Sequence, residues 1–340
     1  MRVHRLVFVA AIACLMSCEA LPVNLTDLET LSDATEPDAL ARKGKVRPPL
    51  LANTPIPNRK QIKLPSPSPT STATPTPEPS PAVMSRVCEQ LTCLTEERVG
   101  SQFLIYIQPG VHADLTVKLA WTLDGMVADQ KAPDPVVLKA GAKTLVGKLR
   151  FTGSAGGTYN VQAPAVRYGD MSVTSDAYVY GLPWRAGETY TCGNGWNGFG
   201  AHQGDYGHAV DFLMPEGTPV LASRDGVVFA TENRYSQGGN DPALGDKANY
   251  VYIRHDNGTY GRYLHFRQGG VEVQVGQPVR RGQLIGYSGN TGWSTDPHLH
   301  FDVMTAKSAS ADRTIGVKFQ TQAGQSAGEV PTKGRSYTAF

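Results

Sequence analysis

The chain has 340 residues, a formal net charge of +2 and 18% charged residues. That balance excludes the strongly basic surface of a dedicated nucleic-acid binder, so no nucleic-acid partner is expected. Its 36 glycines and 24 prolines fit β-rich domains and linkers better than helical bundles, and the length suggests two domains with additional segments.

The N-terminus reads as an export signal. "MRVHR" is a basic start and "LVFVAAIACLMS" an apolar run too short for a comfortable membrane span. The run ends in "LMSC", Leu15 to Cys18, which resembles the bacterial lipoprotein signal. In that family cleavage precedes the cysteine, which becomes the lipidated N-terminus. Residues 1–18 are therefore expected as a signal peptide, with membrane anchoring through Cys18. Met16 is a less usual occupant of its position, which leaves plain secretion open; the chain is exported in either case. Residues 19–86 include "PSPSPTSTATPTPEPSP" and carry too few apolar groups to offset the entropy of ordering. They are expected as a disordered tether, extended at ~3.1 Å per residue where proline dominates.

Five cysteines follow the same logic. Cys14 leaves with the signal and Cys18 carries lipid. Cys88 and Cys93, in "CEQLTC", can close a small loop in an oxidising compartment. Cys192 is left over as a buried thiol.

From 94 to 183 the pattern is short strands separated by turns: "FLIYIQPG", "LTVKLAWTLDG", "TLVGKLRFTG", "TYNVQAPAV" and "DAYVYGLP". Strands at about ten-residue spacing predict a small β-sandwich-like domain over 87–183. No cluster of titratable groups stands out there, so a positioning role is expected.

Residues 184–340 stay β in pattern but gain glycine and histidine. "TPVLASRDGVVFATE" reads as strand, tight turn, strand. "NYVYIRHDNGTYGRYLHF" reads as a hairpin around Asp256, Asn257 and Gly258. "GQPVRRGQLIGYSGNTG" is a series of turns, and "HLHFDV" closes the sheet. No segment keeps a helical period over 11 residues. The fold class is all-β.

Six of the eight histidines fall here: His202, His208, His255, His265, His298 and His300. Strand side chains alternate faces, so His298 and His300 of "HLH" point the same way. A hydrolytic zinc site needs three protein ligands, usually His and carboxylate, with a position open to water. It also needs a group that takes the water's proton. Asp211, in "GHAVDFLMPEGTPV", is the carboxylate candidate.

With those elements in hand, the chain resembles the M23 metallopeptidases of the lysostaphin and LytM type. The resemblance rests on "AVDFLMPEGTPVLASRDGVV", "YLHF", "VGQPVRRGQLIGYSGNTG" and "PHLHFDV", in that order over about 190–320. It implies an antiparallel β-sheet groove that cuts peptides of peptidoglycan with one zinc ion. It further implies Asp211 and His300 as ligands, with His298 and His265 as catalytic histidines. His255 is expected to be structural, and the loop at 232–249 to line the groove.

The first ligand departs from the common H-x-G-x-D spacing. His208 lies three residues before Asp211 and His202 nine before. His202 keeps the H-x-G portion and is preferred; "GDYGH" between them has loop chemistry, and Gly204 offers close backbone approach. His208 remains the alternative. The rival to an enzyme is a silent M23-like module that binds the wall or activates another hydrolase, but such loss replaces motif residues that are all present here.

Overall fold

The computed structural model describes residues 82–89, 91–324 and 326–340. The expected signal peptide, the lipidated Cys18 and the tether up to residue 81 lie outside the described residues. Among the described residues the helical elements are single 3-10 turns, at Gly204–Tyr206 and Pro242–Leu244, and all else regular is β.

The N-terminal unit is two antiparallel sheets face to face. One runs in the order Ala82–Glu89, Thr92–Val99, Gln102–Pro109, Thr144–Phe151, Met126–Lys131, and the other Val136–Leu138, Leu115–Asp124, Thr158–Tyr168. Alternation in "QFLIYIQP" sends Phe103, Ile105 and Ile107 inward. There they pack with Leu115, Val117, Leu149 and Val161 into one core. The first strand takes in residues 82–86, the end of the segment expected as tether, because it pairs with Thr92–Val99; Cys88 and Cys93 face each other in that pairing and are joined.

The C-terminal unit is built on one large sheet. Its central path runs Gly226–Glu232, Asn249–Arg254, Tyr260–Val271, His298–Ser308, Val210–Leu213, Thr189–Asn194, with antiparallel pairing throughout. "HLHFDV" was expected to close the sheet. It lies in the middle instead, between Tyr260–Val271 and Val210–Leu213. Both of its edges are therefore hydrogen-bonded to neighbouring strands, and most of its residues are buried.

One face of this sheet is apolar core: Val210, Phe212, Leu299, Phe301, Val303 and Tyr263 pack with Trp184 and Phe319. Burying each phenylalanine contributes roughly 2–3 kcal/mol. Tyr180 and Leu182, expected in the sandwich, belong to this core, and Val179–Tyr180 pairs with Lys318–Phe319. The boundary between the units thus falls before residue 179.

The opposite face carries Asp211, Leu213, His298, His300, Asp302 and Met304, by the same alternation. At the Met304 end the sandwich docks against it: Ala113, Phe229, Tyr252, Tyr260 and Met304 form a small cluster, with Tyr168 edge-on to Phe229 at 4.9 Å. Polar groups pin the same junction. Lys139 Nζ reaches Asp114 at 2.9 Å and Asp170 at 2.6 Å, and Asp170 N–H donates to Gly258 O at 3.0 Å. This is a titratable cluster that strand-pattern reading did not find, since its three members are far apart in sequence.

Candidate metal centre

The histidine-bearing end of that polar face is a cluster of five side chains. Asp211 and His300 are opposite one another in register on adjacent strands, and Leu213 is opposite His298. The alternation that makes Phe212 core makes Asp211 a site residue. His300 Nδ1 lies 2.9 Å from Asp211 Oδ1, and His202 Nε2 lies 3.0 Å from Asp211 Oδ2. One donor atom from each of His202, Asp211 and His300 falls within 4.8 Å of the others.

His202 comes from a loop that folds back on itself. Asn194 ties the loop by donating from Nδ2 to Phe199 O (3.1 Å) and accepting from Phe199 N–H. A Cβ on Gly198 would meet the Asn194 side-chain oxygen at 2.0 Å, so only glycine fits that position. The His202 ring is buried, and its Nδ1 faces Ala209 O at 2.9 Å and Gly195 O at 3.1 Å. Its proton therefore sits on Nδ1, and Nε2 is left to face Asp211. Gly204 contributes by conformation, with φ +59 and open space around it, and not by the close approach expected of it.

His208 lies elsewhere. Its ring sits edge-on to Trp196 at 4.8 Å, and its Nδ1 approaches Thr314. It is half-buried packing between the loop and the strand Ala311–Thr314. Between the two histidines the structure brings His202, and not His208, to Asp211.

His265 reaches the site by a bulge. In a regular strand it would share the core face with Tyr263, because Leu264 is the residue opposite His300. The register between Tyr260–Val271 and Asn249–Arg254 skips it, passing from Leu264↔Tyr250 to Phe266↔Asn249. His265 takes φ 70, a left-handed conformation that costs a side-chain-bearing residue about 1–3 kcal/mol and recurs at functional sites. The ring then stands 4.5 Å from that of His298 and 6.0 Å from that of His300.

Both of these histidines are held by their Nδ1 atoms. His265 Nδ1 lies 2.7 Å from Thr291 O, and His298 Nδ1 lies 2.8 Å from Asp296 O and 3.1 Å from Ser294 Oγ. In its neutral form each ring then presents a lone pair at Nε2. His298 Nε2 is 3.6 Å from Asp211 Oδ1, at the edge of the three-residue cluster.

Electrostatics sort the group further. Burial alone would raise the Asp211 carboxyl, but the neighbouring His202 and His298 outweigh it and hold it well below the usual carboxylate range. Burial, then repulsion from His298 and His300, pushes His265 well below the usual imidazole range, which keeps it neutral. Burial opposes charge on His300 too, yet its bonds to Asp211 and Asp302 lift it to about 9. Two residues that the motif reading passed over, Asp302 and Arg262, stand directly behind His300. Period-two counting from "HLH" to Asp302 could have found the first; Arg262 becomes visible only through strand register.

Three further expectations can be placed. His255 is fully buried, its Nδ1 3.0 Å from Asp225 O, and away from the cluster. The 232–249 loop packs on the segment that carries the histidine supports: Gly238–Gly239 pairs with Gly292–Trp293, and Trp293 Nε1 donates to Asn240 Oδ1 at 3.1 Å. Cys192 is a free buried thiol, raised by burial to about 11, and not part of the cluster.

Residues 205–312 match Peptidase family M23. The chain carries an M23 peptidase domain. The match includes Asp211, His265, His298 and His300 and begins three residues after His202, so His202 is placed by geometry alone. Peptidoglycan DD-endopeptidase ShyA of Vibrio cholerae is 47% identical over 97 residues, 28% of this chain and 20% of that protein. Glycyl-glycine endopeptidase ALE-1 of Staphylococcus capitis is 42% identical over 99 residues, 29% of this chain and 24% of that protein. The chain thus spans no more than a quarter of the length of these two relatives. The catalytic domain of the antimicrobial peptidase lysostaphin from Staphylococcus simulans aligns at 30% identity with 42% of this chain and 90% of its own, with a TM-score of 0.25.

The cluster suits a divalent ion. Two imidazoles and a carboxylate are the donor set of a catalytic zinc site, with the fourth position left for water or substrate. The imidazole nitrogens turned away from Asp211 are already engaged, His202 Nδ1 by carbonyls and His300 Nε2 by Asp302 at 3.3 Å, an arrangement that metal-binding histidines use.

Proposed function

We propose that the protein is an exported zinc endopeptidase that hydrolyses peptide bonds in the stem peptides or cross-bridges of peptidoglycan. The observation that carries this reading is the convergence of His202, Asp211 and His300 donor atoms within 4.8 Å, beside two histidines whose Nε2 atoms are set up to accept protons. An ion held there would polarise a scissile carbonyl and acidify water.

The chain's own residues do the rest. His202 would hold the ion through Nε2, His300 through Nδ1 and Asp211 through its carboxylate. His298, locked by Asp296 O and Ser294, takes a proton at Nε2 and can return it to the departing amine. His265, neutral and beside it, shares that task or steadies charge developing on the carbonyl oxygen. The exposed Leu213 beside His298 and the 232–249 loop border the space where a peptide would lie. Lipidation at Cys18 and the Pro-rich tether would hold the domain at a membrane within reach of the wall.

The name of ShyA supports peptidoglycan as the substrate, but the relatives' names differ on the bond, DD in one and glycyl-glycine in the other. The deciding experiment is incubation of the zinc-loaded protein with purified peptidoglycans of different cross-link chemistry, followed by mass analysis of released peptides. Release of defined peptides by the wild type but not by His298→Ala is expected. Intact sacculi in every case would remove the endopeptidase reading.

A further inference from the structure

Behind the cluster lies an ion pair that takes no part in the proposed proton transfers. Asp302 and Arg262 are each about 1% exposed and are opposite one another on adjacent strands. Arg262 donates from Nε to Asp302 Oδ1 at 2.8 Å and from Nη2 to Oδ2, while its Nη1 is buried with no hydrogen-bond partner. Asp302 Oδ2 also faces His300 Nε2 at 3.3 Å. A buried ion pair is weak evidence for stability, since both groups give up their hydration and apolar residues of similar volume often serve as well. The unpaired Nη1 adds a further cost.

We infer that Asp302 is a positioning residue for His300, and that Arg262 fixes Asp302 in the one orientation that does this. The inference rests on His300 being a metal ligand. An imidazole that ligates through one nitrogen carries its proton on the other. A carboxylate only accepts, so Asp302 keeps that proton on Nε2 and leaves the Nδ1 lone pair directed at Asp211 and the cluster. The guanidinium grips both carboxylate oxygens, so the group cannot swing away from the ring. The parity of the strand places Asp302 two residues beyond His300 on the same face, and strand register supplies Arg262.

The test uses the full chain, zinc alone as the probe and a competing chelator to read affinity. Asp302→Asn removes the charge that favours the ring proton on Nε2, and its NH2 must face an Arg262 donor, so the side chain loses the grip that sets it against His300. Zinc affinity is expected to fall ~10–100-fold, the cost typical of losing such a partner. Arg262→Met/Asp302→Leu removes both charges together, which preserves folding, and is expected to lose zinc affinity by a similar factor. Arg262→Lys keeps the charge but not the fork and should lose less than Asp302→Asn. A metal-free melt of each variant separates folding from binding. His300→Ala is the control. If it loses zinc while Asp302→Asn and the double variant bind like wild type, the positioning role is overturned and the metal-site reading stands. If His300→Ala keeps zinc, the metal-site reading itself fails.

Discussion

Replacing His202 and His208 separately, by alanine, tests the centre most directly, because the two histidines compete for one role in the sequence and occupy different places in the fold. His202 Nε2 is 3.0 Å from Asp211 Oδ2, and its ring is buried and anchored on two carbonyls. A four-ligand structural zinc site binds with about 10–16 kcal/mol, so one ligand accounts for roughly 3–4 kcal/mol. At 1.4 kcal/mol per decade that is a ~10²–10³-fold loss of zinc affinity for His202→Ala. His208 gives up an edge contact with Trp196 at 4.8 Å and marginal contacts with Thr314. Its replacement is expected to lower stability by about 1 kcal/mol and leave zinc binding unchanged. Chelator competition gives the affinities and urea unfolding the stabilities. Zinc lost from His208→Ala but retained by His202→Ala would refute the geometric argument.

His298→Ala and His265→Ala are expected to keep zinc while turnover on peptidoglycan falls ~10²–10⁴-fold, and metal loss equal to that of His300→Ala would reassign them. His255 titrates at about 4 because burial excludes its charge, below the 6.5 of an unfolded histidine. The unfolded chain therefore binds a proton that the native one refuses, so stability falls as pH drops from about 6.5 toward 4, by about 3 kcal/mol in all. Urea midpoints of wild type and His255→Gln at pH 7.5 and 5 should show the smaller pH loss in the variant; equal losses would dismiss this source. Cys18→Ser is expected to move the protein from the detergent-extracted membrane fraction to the soluble exported fraction, and a soluble wild type that begins at another residue would end the lipoprotein reading.

Much of the molecule is legible in its sequence because a strand reports its own faces. Alternation in "QFLIYIQP" and "HLHFDV" gave two-sided strands, and from it followed the all-β class and the shared face of His298 and His300. The Asp-Asn-Gly turn placed one hairpin between Asn249–Arg254 and Tyr260–Val271. The motif resemblance gathered Asp211, His265, His298 and His300 from separated segments. Alternation is silent, however, on which strand lies beside which. Register alone sets Asp211 and Arg262 on either flank of the His298–Ser308 strand, and makes that strand central. Parity would even mislead for His265, which a bulge and a left-handed backbone turn away from the core. That His202 and not His208 lies beside Asp211 follows from a loop closed through Asn194, whose contacts no periodicity encodes. Local pattern fixes the direction of a side chain within its own strand. Only the pairing of distant strands and the closing of loops decides which side chains meet.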